Sequence, residues 1–132
     1  MSRIYLDACI IIYIVEKHLI YSSRIETLMN ASPSADFCYS PLARLECLVI
    51  PLRTKDFQLQ KLYQAFFNAQ KILAMPSKVF DKAAKLRADF TGLKTPDALH
   101  LAAVYHNCDE FWTNDNRLDK VAPNLVKNIL TI

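Results

Sequence analysis

Glycine is the scarcest residue of this 132-residue sequence, which contains only Gly92. A P-loop and a Rossmann dinucleotide turn each need several glycines, because their backbone must approach phosphate groups closely. The GxSxG turn that presents the nucleophile of α/β-hydrolases needs a glycine on each side of its serine. The sequence therefore excludes these three kinds of active site.

No two of the four cysteines are spaced as a CxxC pair. Only Cys108 has a histidine close by, His106, and one such pair provides too few ligands for zinc. Because their neighbours are largely apolar, we expect buried thiols rather than a disulfide framework. The cysteines are Cys9, Cys38, Cys47 and Cys108.

Long apolar segments are also missing. The longest run, from Ile4 to Val15, is too short to span a bilayer and is interrupted by Asp7. This aspartate, with no small-residue cleavage site after it, argues against a signal peptide, so we expect a cytoplasmic protein without membrane contact. Hydrophobic residues make up 52% of the chain and charged residues 22%, which indicates an ordered globular protein. The net charge of +3 tolerates a polyanionic partner without requiring one.

Strand-like and helix-like patterns alternate along the chain. The predicted strands are 3–7, 36–40, 71–75, 110–113 and 128–132. The predicted helices are 8–16, 21–31, 41–53, 56–70, 77–91 and 95–107. Alternation of this kind implies a parallel sheet covered by helices on both faces. Residues 1–132 are therefore predicted to form a single α/β domain with a four- or five-stranded parallel sheet.

Several residues predict where these helices begin and end. Ser77 and Thr95 are expected to cap their helices, with Pro96 at the first helical position. Gly92 is expected to terminate the helix that starts at Ser77. Pro51 predicts a kink or an early stop in the third helix.

Four carboxylates lie where an α/β fold gathers its functional groups, at the carboxyl ends of the strands. Asp7 ends the first strand, and Asp115 closely follows the fourth. Asp97 opens the helix that leads to the fourth strand, and Glu46 lies on the helix after the second. The neighbours of Glu46 at helical spacing are apolar, so its side chain is predicted to point toward the sheet; they are Leu42, Ala43, Val49 and Ile50.

Each carboxylate alone has an ordinary structural explanation. Asp97 suits the positive end of its helix, Asp115 suits a turn, and Glu46 can pair with an arginine of its own helix. Asp7 is the exception, because a strand-end aspartate inside an apolar run has no local structural task. Four carboxylates about 5 Å apart repel by about 3 kcal/mol per pair at an effective dielectric constant near 20, which favours a shared cation. All-oxygen ligands suit Mg²⁺ or Mn²⁺.

His100 lies one helical turn after Asp97 and is close enough in sequence to contact a substrate. A packed or solvated histidine is the more frequent situation for such a residue, and it is our expectation here. His18 and His106 are expected on the surface.

Three segments resemble the PIN domain, in particular the VapC-type toxin ribonucleases of type II toxin–antitoxin systems. "IYLDACIIIYIVE" is similar to the family's first strand and helix, and "SPLARLECL" to its glutamate helix. "LKTPDALHLAAVYHNCDEFWTNDNRL" is similar to its most distinctive block. The resemblance covers nearly the whole chain and implies that Asp7, Glu46, Asp97 and Asp115 are the four acidic site residues.

The resemblance departs from the family pattern at one place. The family usually has a hydroxyl or amide residue directly after its first aspartate, whereas Ala8 and Cys9 stand there in this chain. A hydrogen bond that steadies the aspartate must then come from elsewhere, and Thr113 or Asn114 is expected to provide it.

The resemblance implies a three-layer α/β/α fold and a toxin that hydrolyses RNA phosphodiester bonds with Mg²⁺ or Mn²⁺. The four acidic residues would hold one or two ions, and Glu46 or Asp115 would take the proton of the attacking water. Cationic side chains are expected to guide the RNA backbone; the candidates are Arg44, Arg87, Lys94 and Arg117. The resemblance also implies a homodimer and a cognate antitoxin. An antitoxin arginine is expected to enter the acidic pocket, with the remaining contacts on the helices 8–16, 21–31 or 41–53, the first two favoured.

Two alternatives remain open. One is a catalytically inactive PIN-like binding module, which the presence of all four acids disfavours. The other is an α/β phosphotransfer protein that uses Asp7 as a nucleophile. Phosphatases of that type need a second aspartate two residues later, where this chain has Cys9.

Overall fold

The protein is built around a five-stranded parallel sheet with the strand order β3-β2-β1-β4-β5. The structure is a computed structural model, and it describes residues 2–130. The strands are β1 (Arg3–Leu6), β2 (Asp36–Tyr39), β3 (Lys71–Ile72), β4 (Glu110–Thr113) and β5 (Val126–Asn128). The predicted parallel sheet is confirmed. Its central strand, β1, lies between β2 and β4, so their carboxyl ends meet at one edge.

Six helices connect the strands in the described part of the chain. They are α1 (Ala8–Val15), α2 (Tyr21–Asn30), α3 (Pro41–Arg53), α4 (Phe57–Ala69), α5 (Ser77–Asp89) and α6 (Thr95–Asn107). A short 3₁₀ turn follows β4 at Leu118–Lys120. No helix within residues 2–130 is long and apolar enough to cross a bilayer.

The sheet separates two hydrophobic clusters, as the alternation of side chains along a strand requires. In β1, Ile4 and Leu6 pack with residues of α1 to α4, while Tyr5 packs with residues of α5 and α6. In β4, Trp112 and Phe111 divide between the clusters in the same way. The predicted three-layer α/β/α architecture is therefore confirmed.

Two strands differ from the prediction. The third was expected at 71–75 but pairs only over Lys71–Ile72, with one further hydrogen bond from Leu73 N to Tyr39 O (2.8 Å). Its partner β2 ends there because Ser40 turns into the cap of α3, so no backbone remains to pair with. The fifth strand was expected at 128–132, but β5 pairs at Val126–Asn128, where β4 offers partners; residues 131 and 132 lie outside the described part of the chain.

The predicted helix ends are also corrected in detail. Gly92 does not end α5, which stops at Asp89; the glycine lies in the following turn with φ +90°. Ser77 and Thr95 are the first residues of their helices and cap neither, and the Thr95 hydroxyl instead accepts from Arg87 Nη1 (2.8 Å). Pro51 lies inside α3, which continues to Arg53, so no early stop occurs.

Candidate active site

Asp7 lies at the carboxyl end of β1, immediately after the last strand residue. Its backbone N–H donates to Trp112 O (3.0 Å), which joins it to β4. Its side chain is 16% exposed and caps α1 by accepting from Ala8 N (2.7 Å). Asp7 is thus held at the sheet edge by backbone contacts on both sides.

Thr113, the last residue of β4, holds the second oxygen of the Asp7 carboxylate. Its buried hydroxyl donates to Asp7 Oδ2 (2.6 Å) and accepts from Asp115 N (3.0 Å). Asn114, the other residue expected in this role, donates instead to Tyr13 Oη (3.2 Å). The hydrogen bond that is missing at Ala8 and Cys9 therefore comes from Thr113. Its hydroxyl also links Asp7 to Asp115.

Glu46 points from α3 toward α6, where it contacts His100. Its side chain is 32% exposed, and its Oε1 lies 2.6 Å from Nε2 of His100. His100 is only 3% exposed. The expectation of a packed histidine is confirmed for burial, but it missed this polar contact.

Ligand atoms of Asp7, Glu46 and His100 lie within 4.8 Å of one another. The separation between His100 Nε2 and Asp7 Oδ1 is 3.9 Å. Asp7 follows the carboxyl end of β1, while Glu46 and His100 come from the middle of α3 and of α6. Their spacing fits a divalent cation.

Asp97 and Asp115 form a second, adjoining part of the site, and Arg117 links them. Its Nε and Nη2 donate to the two carboxylate oxygens of Asp115 (3.0 and 2.7 Å), and Nη2 lies 3.9 Å from Asp97 Oδ2. The hydrogen bonds from Arg117 lower the pKa of Asp115 below its ordinary value. Burial first, and then the charges of Asp115 and Asp7, raise the pKa of Asp97.

All four predicted acidic residues thus gather at one edge of the sheet. Asp7 and Glu46 meet around His100, and Asp97 and Asp115 meet around Arg117. After burial, repulsion by the charges of Asp115 and Asp7 contributes to the raised pKa of Asp97. A cation at this edge would offset that repulsion, and a set of carboxylate oxygens suits Mg²⁺ or Mn²⁺.

Two cavities flank Arg117. The first, of about 240 Å³, is lined by Asp97 and by side chains that include Phe90 and Lys120. The second, of about 380 Å³, is lined by Asp7, Asp115 and neighbouring polar residues.

The other predicted cations have different surroundings. Arg44 donates to Gln64 Oε1 (2.7 Å) and lies over the ring of Phe67, while Arg87 donates to Leu93 O and to Thr95. Lys94 is exposed at the start of α6. Only Arg117 lies in contact with the acidic residues, and sequence reasoning did not foresee its pairing with Asp115.

Comparison with solved structures supports the fold. The chain is similar to a VapBC2 structure from Rickettsia felis bound to promoter DNA (TM-score 0.82, 15% identity, 95% of this chain and 97% of that chain covered). It is also similar to a toxin–antitoxin complex from Klebsiella pneumoniae (0.77, 19%, 97% and 98%). DNA-bound VapBC from Salmonella typhimurium is a third such structure (0.79, 12%, 96% and 98%).

Comparison with curated protein sequences gave no significant match. The model of the PIN domain family, in contrast, matches residues 4–123, a span that contains every residue of the acidic site and most of the described chain. The chain belongs to the PIN domain family.

Proposed function

We propose that the chain is a metal-dependent endoribonuclease and the toxin of a toxin–antitoxin pair. PIN domains are generally nucleases. The observation that carries the proposal is the meeting of Asp7, Glu46, Asp97 and Asp115 at one edge of the sheet, with Thr113 fixing the first. A binding module would gain nothing from holding mutually repelling carboxylates in this arrangement.

In this proposal, Asp7, Glu46, Asp97 and Asp115 hold Mg²⁺ or Mn²⁺. The bound ion would lower the pKa of a water and offset negative charge on the reacting phosphate. The residues of the chain have separate tasks. Thr113 keeps the Asp7 carboxylate in one orientation, and the pairing with Arg117 makes Asp115 a weak base because it lowers the pKa of that carboxyl. This lowered pKa disfavours Asp115 as the acceptor for the proton of the attacking water.

Arg117 is the residue best placed to contact the RNA backbone. It lines both cavities and is largely exposed while paired with Asp115. A guanidinium group presents donors in a planar fork that matches phosphate oxygens. A phosphodiester bound beside Asp97 and Asp115 would therefore accept hydrogen bonds from Arg117 without a movement of the protein backbone.

The proposed partners are a cognate antitoxin and a second copy of the chain. The similar structures from Klebsiella, Rickettsia and Salmonella are toxin–antitoxin or VapBC complexes. In this chain, Leu19 (99% exposed) and Ile20 (71% exposed) lie between α1 and α2, which supports docking of an apolar antitoxin segment there. An antitoxin arginine would then pair with the acidic residues and compete with the cation.

Exposed Leu45, Val49 and Leu52 share one face of α3, where the second copy is proposed to pack.

Cleavage of a mixed pool of structured and single-stranded RNA tests the activity. The purified protein should cut RNA with Mg²⁺ or Mn²⁺, and Asp7→Asn should abolish cleavage while the circular dichroism spectrum stays unchanged. Cleavage that persists in excess EDTA would refute the metal-dependent mechanism. RNA that is bound but never cut would leave the inactive binding module, and cleavage confined to duplex DNA would refute the toxin ribonuclease.

A further inference from the structure

A buried chain of hydrogen bonds leads from the start of α3, through β1 and α6, back to α3. Ser40 Oγ accepts from Ala43 N (3.2 Å) and lies 2.7 Å from Tyr5 Oη. Tyr5 Oη lies 2.6 Å from Nδ1 of His100, and Nε2 of the same ring lies 2.6 Å from Glu46 Oε1. Ser40 and Tyr5 are fully buried and His100 is nearly so.

Glu46, at one end of this chain, sets the direction of its hydrogen bonds. The Glu46 carboxylate only accepts hydrogen bonds, so the hydrogen of the 2.6 Å contact lies on Nε2 of His100. In the neutral ring, Nδ1 then accepts from the Tyr5 hydroxyl. The Tyr5 oxygen accepts from Ser40, whose oxygen accepts from Ala43 N. Each hydrogen then forms one hydrogen bond, and the neutral tautomer with its hydrogen on Nε2 gives every group of the chain a partner.

We propose that His100 is a positioning residue that orients Glu46 through its Nε2–H, and that it is not a ligand of the cation. This inference rests on the proposed function of the site. Nε2 lies within 4.8 Å of ligand oxygens of Asp7 and Glu46, so its position alone would allow it to coordinate an ion. A nitrogen that carries a hydrogen has no lone pair to offer. The site therefore stays all-oxygen, which is the donor set that Mg²⁺ and Mn²⁺ prefer and that zinc does not require.

The packing around the ring maintains this arrangement. The His100 ring contacts the edge of Phe111 (6.1 Å between centroids), and the Tyr5 ring also contacts Phe111 (5.2 Å). Rotation of the imidazole that turned a lone pair toward the carboxylates would break both of its hydrogen bonds. It would also take away one of the two side-chain partners of the buried Tyr5 hydroxyl, which would keep only Ser40. Glu46 thus selects the tautomer of His100, and the Tyr5 and Ser40 hydroxyls complete the chain of hydrogen bonds.

The first test reads the imidazole nitrogens by NMR in protein labelled with ¹⁵N-histidine. The chain has three histidines, and His18→Gln and His106→Gln assign the signals of the other two. We expect Nε2 of His100 to be protonated in the metal-free protein and to remain so at saturating Mg²⁺. Loss of the Nε2 hydrogen on Mg²⁺ addition, or a metal-free ring protonated only at Nδ1, would overturn the proposal. Protein that binds no Mg²⁺ defeats the proposed function, while the metal-free signals still decide the tautomer.

The second test compares two amides at the same position. The side-chain nitrogen of glutamine reaches the place of Nε2, whereas that of asparagine reaches only the place of Nδ1. His100→Asn should lower kcat for RNA cleavage about tenfold or more with little change in KM, as is usual when a residue that orients a metal ligand is removed. His100→Gln should recover most of that loss. His106→Gln, on the exposed end of the same helix, is the matched control and should behave as the wild type.

The outcomes of this comparison separate positioning from simple packing. Both His100 variants should be assayed well below their unfolding midpoints, so that reduced stability does not mimic reduced kcat. Equal losses in His100→Gln and His100→Asn, or full activity in His100→Asn, would overturn the positioning role.

Discussion

Replacement of Thr113 by valine should destabilise the metal-free protein. Valine has nearly the shape of threonine, so the change removes the hydroxyl and leaves the packing of β4 intact. Two hydrogen bonds are lost, one to the charged Asp7 carboxylate (2.6 Å) and one from Asp115 N (3.0 Å). A bond to a charged group contributes about 1.5–3 kcal/mol and a neutral one about 0.5–1.5 kcal/mol. Because Asp7 is 16% exposed, water replaces part of this loss, and we expect a decrease of about 2–3 kcal/mol in the free energy of unfolding.

Urea unfolding in EDTA at neutral pH measures this change. With a slope near 1.5 kcal/mol per molar urea, the midpoint should fall by about 1–2 M. Thr113→Ser is the matched control, because it keeps the hydroxyl and loses one buried methyl group, which costs about 1 kcal/mol. Valine should therefore be the more harmful of the two substitutions. A valine variant as stable as the wild type, or more stable than the serine variant, would refute the role assigned to the hydroxyl.

Three further predictions concern the acidic residues. The raised pKa of Asp97 means that its contribution to stability is full below its ordinary value of 3.8 and is lost as pH rises through the folded pKa. Asp97→Asn should therefore gain stability over the wild type as pH rises from about 3 to 6 in EDTA, and a pH-independent difference in unfolding midpoint would contradict this. Arg117→Gln should tighten Mg²⁺ binding in calorimetry, because the guanidinium competes for the oxygens of Asp115; weaker binding would count against competition. Ca²⁺ should support RNA cleavage poorly, since its looser coordination orients water less well, and rates equal to those with Mg²⁺ would contradict the proposed site.

The sequence predicted the sheet well because parallel strands that are buried on both faces read as short apolar runs. It predicted the two outer strands, β3 and β5, less well. The apolar residues after Asn128 suggested a strand at 128–132, whereas the extent of β4 fixes the pairing at Val126–Asn128. Strand ends depend on the partner strand, which a single segment of sequence does not contain. The helix caps failed for a related reason, since the Thr95 hydroxyl is engaged by Arg87 from the preceding helix.

The acidic residues could be proposed from the sequence because the evidence for them is local: Asp7, Asp97 and Asp115 lie near strand or helix ends, and Glu46 has apolar neighbours at helical spacing. The sequence offered two residues, Thr113 and Asn114, as the hydrogen-bond partner of Asp7. The pairing of the strands decides between them in favour of Thr113. Leu6 is paired with Trp112, so Asp7 and Thr113, the next residue on each strand, lie side by side. That argument needs only the adjacency of β1 and β4, which the sequence pattern did not predict.

His100 shows where reading the sequence reaches its limit. Its position one turn after Asp97 placed it near the acidic residues, but the chemistry of an imidazole depends on which nitrogen carries the hydrogen. That choice is made by Glu46, 54 positions away along the chain, and Tyr5 and Ser40 provide the hydroxyl groups that match it. A tyrosine buried in a central strand needs a partner for its hydroxyl, and this fold provides one on each side. The proposed all-oxygen site therefore depends on a buried histidine that contacts Glu46 without being a proposed ligand itself.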